Sequence, residues 1–109
     1  MSLNFLINQR LDEKQSAALL AESREDDPIL YAIIGEISKD NRYATTALAV
    51  TATSLFTFDF EHEKIIKRIA VFDISKIFTK RMYGNGLLRV ETNDGELHDL
   101  FRFTFTAWR

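Results

Sequence analysis

Hydrophobic and polar positions alternate in seven short runs between Ile29 and Phe103, each bounded by turn-forming residues. The third run shows the pattern most clearly. There Phe56, Phe58 and Phe60 alternate with Leu55, Thr57 and Asp59, the period of two expected of a strand. The runs are Ile29 to Ser38, Tyr43 to Val50, Ser54 to Phe60, Lys64 to Ala70, Ile74 to Met82, Leu87 to Thr92 and Glu96 to Phe103. The first opens with an almost unbroken apolar stretch, which predicts burial on both faces. Tyr83-Gly84-Asn85-Gly86 and Asn93-Asp94-Gly95 read as hairpin turns, because Gly and Asn tolerate positive φ.

The flanks follow a different period. Leu3, Leu6, Ile7 and Leu11, then Ala17 to Ala21, recur at helical spacing, and predict a helix from Asn4 to about Ser23 with Asn4 or Ser2 as its cap. Glu22 to Pro28 is acidic and polar and holds the only proline. A residue before proline avoids the helical region, so Asp27 marks a boundary. The predicted organisation is a helix and hinge over residues 1–28 and a β domain over residues 29–109. Beyond Phe103 two periods coincide: Phe105 continues the alternating aromatics of the seventh run, while Phe105 and Trp108 stand three apart after Thr104, which suits the capped first turn of a second helix. Phe105 and Trp108 are therefore a candidate interaction surface.

Composition narrows the function. A chain of 109 residues suits one domain. Lys and Arg number 14 against 16 Asp and Glu, for a net charge of -2. That balance argues against nucleic acid as a partner, since phosphate binders carry a basic surplus. With no Cys, disulfides and thiolate metal sites are excluded. No apolar run reaches the roughly 20 residues of a membrane-spanning helix, and the N-terminus lacks the layout of a signal peptide. A cytoplasmic protein is expected.

Candidate chemistry is sparse. Glu61-His62-Glu63 and His98-Asp99 hold the only histidines, too few to complete a zinc site. No Gly-x-Ser-x-Gly elbow or phosphate-cradling glycine loop precedes a helix. No catalytic residue, metal, cofactor or small-molecule substrate is expected. Lys64, Lys67 and Arg68 on the fourth run, with Lys76, Lys80 and Arg81 on the fifth, form a candidate patch for anionic lipid headgroups. The simpler role for such residues is to keep strand edges soluble. The five phenylalanines Phe56, Phe58, Phe60, Phe101 and Phe103 are read as core.

Seven strands in hairpin order, followed by the start of a helix, resemble the pleckstrin-homology superfold. Three stretches carry the resemblance: Ala49 to Phe56, Val71 to Ile77 and Gly86 to Gly95. They are similar to segments of bacterial pleckstrin-homology-like domains found in proteins of unknown function and before the membrane segments of some ABC-type exporters. The resemblance spans Ile29 to Arg109. It implies a mostly β fold, a seven-stranded antiparallel barrel or sandwich with an N-terminal helix and a short or truncated C-terminal one. Eukaryotic phosphoinositide binders of this superfold place a Lys/Arg series on strand one and the start of strand two. Here that region holds Lys39 and Arg42 with Asp40 between them, so a fold is implied without the inositide activity. The expected function is a non-enzymatic docking or regulatory module whose partner is another protein or a second copy. The alternative is peripheral binding of anionic lipid at the inner face of a membrane.

Overall fold

The computed structural model describes residues 6–7, 11–37, 43–82 and 85–104. Strand β1 (Leu6–Ile7) precedes helix α1 (Glu13–Leu20). Seven strands follow: β2 (Ile29–Ile37), β3 (Tyr43–Thr51), β4 (Ser54–Asp59), β5 (Lys64–Ala70), β6 (Ile74–Met82), β7 (Asn85–Thr92) and β8 (Leu97–Thr104). A single 3-10 turn, Val71–Asp73, joins β5 to β6. The protein is mostly β, as the alternation predicts.

The strands form two antiparallel sheets, β2 to β5 and β6 to β8, in the hydrogen-bonded order β5-β4-β3-β2-β8-β7-β6. They meet where Ile37 pairs with Arg102. A closed barrel is not formed, since β5 and β6 end the order and no ladder joins them among the described residues. The cause lies in the turn between them. Val71 N donates to Thr53 O at 2.8 Å, and Asn93 donates to Asp73 O at 2.8 Å and to Phe72 O at 2.9 Å. These bonds tether the turn to both sheets, and β6 starts alongside β7 instead of continuing beside β5.

The N-terminal helix is shorter than its periodicity predicts. Leu6 and Ile7 are extended and pair in parallel with Tyr31 and Ala32 of β2. With β3 along one edge of β2, they occupy part of the other edge, along the stretch that β8, paired only at Ile37, does not reach, which satisfies backbone groups otherwise left open. Helix α1 then starts at Asp12. Its carboxylate accepts from Gln15 N at 2.7 Å, and the Gln15 side chain accepts from Asp12 N at 3.3 Å, a reciprocal cap. Asn4 and Ser2, the expected caps, lie outside the described residues, as do Tyr83-Gly84 and residues 105–109 of the second predicted helix, while Thr104, its expected cap, is the last residue of β8 and pairs with Asn85.

Each face of the four-stranded sheet carries a core layer, but the apolar opening of β2 is buried only in part: Ile29, Ala32 and Ile34 are covered, while Leu30 and Tyr31 are about half exposed. One face carries Ile29, Ala32, Ile34, Ala47, Ala49, Phe56, Phe58 and Phe60, closed by Leu19 of α1 with Ile7 and Leu11. The other face carries Leu48 and Leu55 against Val90, Leu100, Phe101 and Phe103 of the second sheet. All five phenylalanines read as core are buried. In β8 the register shifts so that Leu88 pairs with Phe101 and Arg89 with Asp99. Leu100 is thus the extra residue of a bulge. Its carbonyl accepts the buried Thr57 hydroxyl at 2.5 Å, a polar tie between the sheets.

Gly95 fills its predicted turn role, and Gly86 does not. Gly86 belongs to β7, and it is Gly95 that carries positive φ, 87°. A side chain at Gly86 would stand 2.4 Å from the Phe103 ring, so close approach, rather than turn geometry, requires that glycine.

Candidate docking groove

At the end of β2 away from Ile37 the two sheets splay, leaving an apolar groove of about 540 Å³. Leu30 and Tyr31 of β2, Leu48 and Val50 of β3 and Leu55 of β4 form one wall; Ile74 and Ile77 of β6 with Leu88 of β7 form the other, and Val71 closes the corner. Alternation turns Tyr31, Leu48, Val50, Leu55, Ile77 and Leu88 to this side, and register shifts at Leu30 and at Ser75 let Leu30 and Ile74 join them. Ile77 pairs with Val90, and Thr79 with Leu88, both on the core-facing side of β7. The apolar surface is not fully covered. Ile77 is 55% exposed, Leu30 48%, Tyr31 46% and Val71 42%. The patch extends outward to Phe72, 80% exposed in the 3-10 turn. Exposed apolar clusters of this kind mark contact sites.

Sequence alternation alone did not single out these residues. In the stretch between the fourth and fifth runs, Val71 and Phe72 are two large apolar residues in a tight turn, and they are one signal of the groove. Ile77-Phe78 is the other, since consecutive apolar residues on an end strand place one on each face. The surface expected from the sequence, Phe105 and Trp108, lies outside the described residues.

The six basic residues of the candidate lipid patch divide between strands at opposite ends of the strand order. Lys64 sits opposite Asp59 and Lys67 opposite Thr57, on the side of β5 turned toward β8. Arg68 sits opposite Phe56 on the helix side, its guanidinium carbon 4.8 Å from the ring centroid. Lys76 and Lys80 pair with Glu91 and Leu87, on the outer side of β6, while Arg81 pairs with Gly86 on the inner side.

The histidines are held in local polar networks. His62 Nδ1 is 2.7 Å from Asp59 Oδ2 in the turn between β4 and β5. Burial pushes the Asp59 carboxyl up, but hydrogen bonds from His62 and from the Glu61 and His62 amides outweigh it and hold the group below its ordinary value. Asp59, Glu61 and His62 can bring one donor each within 4.8 Å of one another. Both Asp59 oxygens are already engaged in shaping the turn. His98 Nδ1 is 3.3 Å from Lys67 Nζ, and its Nε2 is 3.4 Å from Glu96 Oε2. It lines an open cleft of about 400 Å³ with Arg68, Asp73, Thr92 and Asp94. No serine is among the described residues lining that cleft.

No helix among the described residues is long and apolar enough to cross a membrane. Comparison with protein-family models, curated proteins and solved structures finds no match for the chain.

Proposed function

We propose that this chain is a non-enzymatic docking module of pleckstrin-homology-like design, and that the groove between its sheets receives an apolar segment of a protein. The observation that carries this reading is the continuous apolar surface from Leu30 and Tyr31 across Val71 to Ile77. A core this well closed elsewhere makes an open apolar wall at one end costly. Burying large aliphatic side chains contributes about 1.5–3 kcal/mol each. Covering the half-exposed Leu30, Val71 and Ile77 would supply several kcal/mol by the same measure.

Binding of the apolar dye anilinonaphthalene sulfonate tests the groove. The wild type should enhance its fluorescence, and Ile77→Asp, which places a charge in the wall, should weaken binding about tenfold or more. Fluorescence indifferent to that substitution would defeat the reading. Salt-dependent co-sedimentation with anionic vesicles, lost on neutralising Lys64, Lys67, Arg68, Lys76, Lys80 and Arg81, would favour the headgroup alternative instead.

A further inference from the structure

Strand β6 forms one wall of the groove and also ends the sheet. Its second edge is unpaired among the described residues. From Lys76 to Met82 it runs in unbroken register with β7. The outward backbone groups of such a strand are evenly spaced for another ladder. The other end strand, β5, is less suited to this. Its register shifts between Thr57 and Phe58, leaving Ile66 as an extra residue, and bulges of this kind blunt an edge.

The side chains of β6 are also poorly protected. Ile77 on the groove face and Phe78 on the outer face are 55% and 38% exposed. Lys76 and Lys80 flank Phe78 on that outer face, and β6 holds Arg81 as well but no acidic residue. Neither lysine has an ion pair among the described residues. A second copy is a poor occupant. Antiparallel pairing that overlaps the whole strand with itself sets Lys76 directly against Lys80 of the copy, twice over, and like charges facing across a ladder repel.

We propose that β6 is the receiving edge for an extended, acidic partner segment with alternating apolar residues. Its backbone would extend the three-stranded sheet, its acidic side chains would face Lys76 and Lys80, and its apolar ones would enter the groove over Ile77. The proposal rests on the docking function above and adds the chemistry of the partner.

Selection of short random peptides displayed on phage, with the wild-type chain as bait, tests it. The enriched peptides should be net acidic with apolar residues at alternate positions, and should slow amide exchange across Lys76–Met82. The double variant Lys76→Glu, Lys80→Glu changes two exposed side chains and should bind those peptides at least about tenfold more weakly. Lys64→Glu on β5 should leave them unaffected. Enrichment of peptides without acidic bias, or acidic binding that survives the charge reversal, would overturn this inference and leave the docking function standing. Enrichment of no peptide would overturn both.

Discussion

Gly35→Ala tests how the two sheets are joined. Gly35 lies in β2 beside the junction with β8, and a methyl there would stand 2.6 Å from the Arg102 carbonyl oxygen and 2.7 Å from Cζ of Phe101. The oxygen belongs to the backbone that forms the junction, so it cannot rotate away as a side chain can. The new methyl must therefore part β2 from β8 or displace the Phe101 ring from the core. Overpacking of this kind costs about 1–3 kcal/mol. Against it stands the entropy that alanine saves in the unfolded chain, about 0.4–1 kcal/mol where the native conformation is unstrained. The clash wins, and a net loss of about 1–2 kcal/mol is expected. Urea unfolding followed by circular dichroism should show a lower midpoint with an unchanged slope. For a domain of this size the melting temperature should fall by several degrees, since about 1 kcal/mol corresponds to roughly 4–8 °C. A midpoint equal to or above that of the wild type would refute the close approach of β2 and β8.

Three further substitutions probe the remaining layers. Leu19→Ala, at a fully buried position of α1, should cost about 2–5 kcal/mol in the same unfolding assay. Thr57→Val removes the only described hydrogen bond tying β4 to the Leu100 carbonyl, and should cost about 1–3 kcal/mol because it leaves a buried acceptor without its partner. The Asp99 carboxyl is held below its ordinary value of 3.8 chiefly by a hydrogen bond from Arg89 Nε at 2.7 Å. A depressed folded-state value means that the ionised group stabilises the fold above pH 3.8, and that this contribution fades as pH falls toward the folded value. The stability gap between wild type and Asp99→Asn, measured by urea titration at successive pH values, should therefore narrow on acidification below that point, and a gap constant with pH would contradict the pairing.

The sequence was most legible where alternation had one interpretation. Phe56, Phe58 and Phe60 declared a strand and its buried face, whereas the apolar opening of β2 promised burial on both faces that Leu30 and Tyr31 do not have. It was less legible where two periods coincide. Leu6, Ile7 and Leu11 fit a helical stripe, but an open edge on β2 and the cap at Asp12 made the first part of that stretch extended. Edge pairing is non-local and leaves no mark in the periodicity of the segment it recruits. Gly86 was misread for a related reason: its spacing suggested a turn, while its role is set by Phe103, a neighbour only in space. Barrel closure failed through the tethers on Val71 and Asn93, which no strand pattern encodes. The groove was hidden in the same way, because its two walls come from β2–β4 and β6–β7. Only the exposed apolar residues of the connecting turn hinted at it.

Methyl-resolved NMR of the labelled chain, titrated with anilinonaphthalene sulfonate, shows where on the two sheets an apolar ligand docks. If the groove between the sheets is the docking site, shifts should concentrate on Leu30, Leu48, Val50, Ile74, Ile77 and Leu88, and Ile77→Asp should move their titration to about tenfold higher dye concentration or beyond. Shifts centred instead on Leu19, Ile34 and the helix-side layer, or none at any methyl, would contradict it.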